Sequence, residues 1–244
     1  MLDETELIRY ARQIKIPDFG PEGQLKLKSA RVVVAGVGGL GGYSSLSLAS
    51  AGVGHLTVID HGLVELSNLN RQVLYRDGDL GKAKADLARE RLSQVNPLID
   101  IVSIRLKIAG ENAMELISGA HVVVDGMDNF PGRMILNAAC FKAGVPFVYG
   151  GIYGLKGMVT TIIPGKTPCL ACMTSVPHEV QEGVPVLGAI PALIGSIQAL
   201  ETVKLLTGIG RPLAGKLLSF DGELGQWFSH GTLKRDSCPV CGGS

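Results

Sequence analysis

The sequence predicts an α/β fold: a Rossmann-like, mostly parallel sheet with helices on both faces, continued by a strand-rich C-terminal part carrying a pair of zinc knuckles. Three observations predict it. Up to about residue 150, short apolar runs alternate with helical stretches, the rhythm of parallel strands joined by crossover helices. The first apolar run, RVVVA at 31–35, leads directly into G-x-G-x-x-G at Gly36, Gly38 and Gly41. Beyond residue 150 the order becomes strands, a loop, one long apolar helix and strands again, and two C-x-x-C pairs lie in this part.

Composition narrows the function classes. The 244 residues are 46% hydrophobic with mean hydropathy +0.28, enough for a sizeable core and against global disorder. A net charge of +1 gives no reason to expect a nucleic-acid or anionic-membrane partner. The N-terminus, MLDETELIRYARQ, is acidic and then amphipathic, unlike a secretory signal. No apolar run long enough to span a bilayer is free of glycine or charge. The expected compartment is the cytoplasm.

Residues 4–13 read as a helix with Leu7, Ile8 and Ala11 on one face and Arg9 and Arg12 on the other, ended by Pro17 and Gly20-Pro21. Residues 23–29 are a linker or short helix. The strand at 31–35 and its glycine turn come next. Such a turn lets the backbone approach a phosphate, and the helix that follows points free N–H groups at the anion. Asp60 closes the next apolar run about 20 residues on, where an acid can hold ribose hydroxyls. The motif also suits a tight turn packing helix on strand, and it does not choose between NAD, FAD, S-adenosylmethionine and ATP.

Asn68, Arg71 and Gln72 then cluster in a polar segment, donors suited to phosphate oxygens or to a self-bonded exposed loop. Residues 79–95 read as a helix with Lys84 near its start, stopped by Asn96-Pro97. A strand at 100–104 and a short helix at 111–118 precede the apolar strand 121–124. Asp125 and Asp128 sit at its carboxyl end, the edge where open α/β sheets bind ligands. A carboxylate there can hold Mg²⁺ against a triphosphate, and Asp128 or Asn129 equally suits a helix N-cap. Residues 133–143 form a helix with Cys140 on its apolar side, a packing position. The strand 146–149 is expected to break at Gly150-Gly151, with another from 157 to 163. A helix at 190–206 and strands at 216–220 and 225–229 complete the chain.

Cys169-x-x-Cys172 and Cys238-x-x-Cys241 account for every cysteine except Cys140. In a cytosolic chain, two such knuckles read as one tetrahedral S₄ zinc site. Four protein sulfurs leave no open position, so the zinc is structural, stapling the late loop to the C-terminus.

Taken together, RYARQI at 9–14, FGPEGQLKLKSARVVVAGVGGLGG at 19–42, LASAGVGHLTVID at 48–60, ELSNLNRQ at 65–72, GKAKADLA at 81–88, VNP at 95–97, VVVDGMDN at 122–129, GVPVLG at 183–188, GSIQALETVKLLTGIG at 195–210 and the cysteine pairs resemble, in order, the ThiF/MoeB/HesA family, bacterial relatives of ubiquitin-activating enzymes. The likeness spans nearly the whole chain. It implies a single adenylating domain over 1–244: an N-terminal helical arm (1–30), a nucleotide-binding part (31–150), and a carrier-binding, zinc-stapled part (151–244) with a crossover loop near 173–185. It implies ATP-dependent adenylation of the C-terminal glycine of a small ubiquitin-fold sulfur carrier, with release of pyrophosphate. A related reaction on a peptide or tRNA, or a non-catalytic carrier-binding scaffold, is the alternative. By the same resemblance Gly39 and Gly41 contact nucleotide and Asp60 takes the ribose. Asn68, Arg71, Gln72 and Lys84 line the phosphates, Asp128 holds Mg²⁺ and Asn129 belongs to the same site. Arg12 matches an arginine supplied across a homodimer interface. Two positions depart from the pattern: Gly62 stands where a second acid is common, and no cysteine stands near Gln181 in the crossover loop. The second departure leaves the product as an acyl-adenylate for a separate sulfur donor.

Overall fold

The computed structural model describes residues 1–174 and 185–242. The first helix begins at an Asp3–Glu6 capping box and runs as α1 (Glu4–Arg9); the chain then turns at Tyr10 into α2 (Ala11–Ile14). The single helix expected over 4–13 is therefore broken. Tyr10 is buried, its hydroxyl accepts from Asn96 Nδ2 at 2.8 Å, and one straight helix would not serve both this anchor and the Gln13 contact described below. Pro21 lies in the first turn of α3 (Gly20–Ser29), where its missing N–H costs nothing, so Gly20-Pro21 starts a helix.

Strand β1 (Arg31–Ala35) feeds α4 (Gly39–Ala51), and β2 (His55–Ile59) follows. Two short 3₁₀ turns, Leu66–Asn68 and Asp77–Asp79, lead to α5 (Lys84–Val95). This helix starts five residues later than expected because Ala83 bridges Leu63 as extended chain. Next come β3 (Asp100–Ile104), α6 (Ala113–Leu116), β4 (Val122–Asp125) and α7 (Phe130–Ala143). The chain ends with β5 (Phe147–Tyr153), β6 (Lys156–Ile162), α8 (Leu170–Met173), α9 (Ala189–Thr207), β7 (Lys216–Asp221) and β8 (Gln226–Gly231). Strand β5 runs straight through Gly150-Gly151, contrary to expectation, because β6 pairs with it across both glycines.

All eight strands form one sheet in the order β3-β2-β1-β4-β5-β6-β7-β8. The first five are parallel and the last three antiparallel. One face packs on α3, α4, α5 and α9, with Leu27, Leu48, Leu92 and Ile194 fully buried. The other packs on α6, α7, α8 and the cysteine knuckles around Ile117, Leu136 and Phe147. The doubly covered Val32–Val34 and Val122–Val124 explain the continuous apolar runs. Helix α9, with 19 residues, is long and apolar enough for a membrane span, but here it is a core helix lying on α4, β5 and β6. Its buried Glu201 accepts from Thr161 Oγ1 and Leu213 N, each at 2.6 Å.

Candidate functional site

The strand order reverses between β1 and β4, and a cleft of about 540 Å³ opens above their carboxyl ends. Its floor is the turn Gly36–Gly39. Gly36 takes φ +90°, and a Cβ there would stand 2.5 Å from Gly126 O, so the turns after β1 and β4 touch. Gly38 is the N-cap of α4 with no side chain to cap it, which leaves the first N–H groups of the helix facing the cleft beside Gly39. Gly41 does not line the cleft; a Cβ on it would run into the Gly36 carbonyl, so it is the glycine that lets α4 pack on the turn.

Asp60 borders the cleft and is fixed by two amides: Val37 N–H donates to Oδ2 at 2.9 Å and Gly62 N–H to Oδ1 at 2.7 Å. A Cβ at Gly62 would lie 3.1 Å from Asp60 Oδ1 and 3.6 Å from Lys84 Nζ, so a side chain there would press between the two. Lys84, the first residue of α5, lines the same wall with Arg71 and Gln72. Arg71 Nη1 donates to Ser67 O and Asn70 Oδ1, at 2.8 and 3.0 Å. Gln72 is buried, and its Oε1 has no partner among the described residues. Asn68 stands behind this wall rather than on it: its Oδ1 accepts from Glu65 N at 3.2 Å, completing a cap on the 3₁₀ turn. Asp128 and Asn129 face Lys84's wall from the β4 side. Asn129 caps α7 by accepting from Gly132 N at 2.8 Å, and its Nδ2 donates to Asp128 Oδ1 at 3.1 Å.

Arg12 is not among the lining residues. It lies exposed on α2, whose Gln13 donates to Ala51 O at the far end of α4. The crossover loop expected near 173–185, with Gln181, falls almost wholly outside the described residues.

Sequence reasoning missed an ion pair beside the cleft. Arg133 Nε stands 3.2 Å from Oδ2 of the fully buried Asp125, its Nη2 donates to Met127 O at 2.6 Å, and its guanidinium lies 5.3 Å from the Tyr149 ring centre. Burial pushes the Asp125 carboxyl up; Arg133 and the Met127 and Gly150 amides oppose that. The available signal was Arg133 at i+4 from the N-cap Asn129, directed back at the turn it follows. Leu106 and Ile108, just after β3, supply an apolar wall that the sequence did not advertise.

The four predicted cysteine ligands meet on the opposite face of the sheet. Cys169, Cys172, Cys238 and Cys241 are buried, and their sulfurs all lie within 4.8 Å of one another. Corners of a tetrahedron about 2.3 Å from a zinc are about 3.8 Å apart, and the cross-knuckle pairs stand at 3.6 Å (Cys169–Cys238) and 3.3 Å (Cys172–Cys241). Each knuckle is a closed turn, with Cys172 N donating to Cys169 O and Gly242 N to Cys238 O. The all-sulfur set and its size fit zinc; bound there, the ion would cross-link α8, through Cys169 at its N-cap and Cys172 within it, to the C-terminal knuckle.

Known proteins resemble this chain along nearly all its length. The ThiF family profile matches residues 10–240. The sulfur carrier protein adenylyltransferase of Thermus thermophilus is 43% identical over 252 residues, covering 98% of this chain and 92% of that protein. The sulfur carrier protein ThiS adenylyltransferase of Escherichia coli is 36% identical over 247 residues, covering 100% and 98%. Among solved structures, Escherichia coli MccB with AMPCPP and MccA superposes with a TM-score of 0.87 at 26% identity, covering 99% of this chain and 76% of that one. With the glycine turn, the polar wall and the paired knuckles, these likenesses lead to one conclusion: the chain belongs to the ThiF family, among relatives named adenylyltransferases.

Proposed function

We propose that this chain is an adenylyltransferase acting as one adenylating domain. It joins the C-terminal glycine of a small ubiquitin-fold sulfur carrier to the α-phosphate of ATP and releases pyrophosphate. The observation that carries the reading is the convergence of Arg71, Lys84 and Asp128 on one cleft with the uncapped helix start at Gly39. Transfer of a nucleotidyl group is mainly positioning and charge neutralisation. An anionic carboxylate approaching an anionic triphosphate needs cations. Arg71 and Lys84 supply two, and Asp128 would hold a Mg²⁺ that supplies more positive charge. No general base is needed, because a C-terminal carboxyl is ionised at pH 7.

Asp60, already oriented by two amides, keeps lone pairs for ribose hydroxyls. Leu106 and Ile108 offer an apolar face to the base. Gln72 lines the cleft on the phosphate side, where its side-chain N–H groups suit phosphate oxygens. Of the remaining expected residues, Gly41 and Asn68 serve by shaping the turn and the polar wall. Arg12 cannot serve the cleft of its own chain from the far end of α4, which favours a homodimer in which the partner's cleft receives it. A cytoplasmic setting and a separate sulfur donor complete the proposal. The test is carrier-dependent ATP–pyrophosphate exchange against a panel of small proteins ending in Gly-Gly. Exchange with one of them supports the reading; nucleotide binding without exchange for any carrier would favour a non-catalytic scaffold.

A further inference from the structure

Helix α7 touches both centres of the molecule. Its first turn, with Asn129 and Arg133, borders the cleft; one turn further, at i+4 from Arg133, Asn137 faces the cysteine knuckles. Asn137 is 1% exposed, and its Oδ1 accepts from Leu170 N at 2.8 Å. That bond fixes which way round the amide sits, since a flipped amide would set a donor against a donor. Nδ2 therefore points away from Leu170. It is buried and makes no well-formed hydrogen bond among the described residues. Leu170, which the amide oxygen holds, directly follows Cys169, the N-cap of α8, so the unpartnered Nδ2 is left beside the first knuckle.

We propose that Asn137 is an outer-shell residue of the four-cysteine metal centre, its Nδ2–H donating to the Cys169 sulfur once a metal is bound and so fastening the first knuckle to α7. The argument rests on the four-cysteine centre and not on the adenylation reaction. A thiolate is a far better acceptor than a thiol, so the bond strengthens when metal displaces the proton. A divalent ion with four thiolates leaves a net charge of −2 in a buried place, and N–H donors to sulfur spread that charge. Main-chain amides do this elsewhere in the cluster: Arg235 N donates to Cys172 Sγ at 3.4 Å. Asn137 is a side-chain donor, so substitution can remove it while the backbone of the knuckle stays in place. The same amide satisfies Leu170 N with its oxygen, so one side chain ties α8, Cys169 and α7 together.

The test uses the full-length, zinc-loaded protein. Asn137→Asp keeps an acceptor for Leu170 N but replaces the donor by a carboxylate oxygen; Asn137→Leu removes both. Zinc transfer to an excess of a chromogenic chelator is followed by absorbance. Outer-shell partners typically change metal affinity by about 10–100-fold, and both variants should release zinc at least tenfold faster than the parent. Release within twofold of the parent from folded variants overturns the proposal. Should neither variant fold, the parent answers alone. On loading ¹⁵N-labelled protein with Cd²⁺, the Asn137 side-chain amide proton should shift downfield and gain protection from exchange, both reversed by chelation. An amide signal that does not respond to the metal overturns the assignment.

Discussion

Asp128 and Arg133 lie five residues apart and call for opposite expectations. Asp128 is exposed, and its Oδ1 accepts from the neighbouring Asn129. Asp128→Ala should leave stability within about 0.5 kcal/mol yet lower carrier-dependent pyrophosphate exchange at least about 100-fold, the scale of losing a group that neutralises transition-state charge. A folded variant with parental exchange would remove the magnesium assignment. Arg133 instead partners a carboxylate with no exposure at all. Arg133→Met should cost about 3–5 kcal/mol, because a buried charge is left unpaired. The loss should depend on pH in a definite sense. Burial already raises the Asp125 carboxyl, and deleting Arg133 removes an opposing influence. A carboxyl raised in the folded state binds more protons there than in the unfolded chain, so its contribution to stability falls as pH rises from the ordinary carboxylate range through the folded value. The deficit of Arg133→Met relative to the parent should be smaller at pH 5 than at pH 8 in urea melts; a larger deficit at pH 5 would contradict the buried-pair account.

Among the elements, β5 and α9 show how local signals can mislead. Gly150-Gly151 reads as a strand end, yet β5 continues through it, held by its pairing with β6, and glycine stands at 150 because a Cβ there would lie 2.6 Å from Gln198 Nε2. The glycine admits the α9 amide that donates to Asp125 O and Val148 O, at 2.8 and 3.1 Å. Gly150→Ala should therefore cost about 1–3 kcal/mol through overpacking. Combining it with Gln198→Ala should cost less than the sum of the single changes, by at least about 0.5 kcal/mol. Strict additivity in denaturant titrations would mean that the two residues do not press on each other. The parallel strands were legible because both their faces are covered and their apolar runs are unbroken. The glycine turn, Asp60 and the cysteine knuckles were legible because each is a local spacing, whereas the expectation for Lys84 came from the family resemblance. What could not be read depends on partners distant in sequence. Tyr10 breaks a helix to reach Asn96, and Gly150 answers to a side chain 48 positions later. Asn68 and Gly41 were placed in the cleft by motif, while the fold sets them one layer behind it.

At the scale of the molecule, the question is where Arg12 acts. Helix α4 has 13 residues and so spans roughly 20 Å. Its Gly39 end forms the cleft floor, and its Ala51 end is held by the side chains of Gln13 and Gln24, at 2.7 and 3.1 Å. Arg12 is therefore anchored at the wrong end of the helix to reach phosphates in its own chain, farther than an arginine side chain extends. A cleft completed across a two-fold axis would use Asp128 from one chain and Arg12 from the other. Arg12→Ala and Asp128→Ala homodimers should each be nearly inactive. In a mixed dimer, the cleft on the Arg12→Ala chain keeps its own Asp128 and receives an intact Arg12, while the second cleft lacks both. Random re-pairing of equal amounts makes half the dimers mixed with one good cleft each, so exchange activity should recover to about one quarter of the parental value. If Arg12 served its own chain, the mixture would show only the mean of its two parents, because each cleft would carry one lesion whatever chain stood beside it.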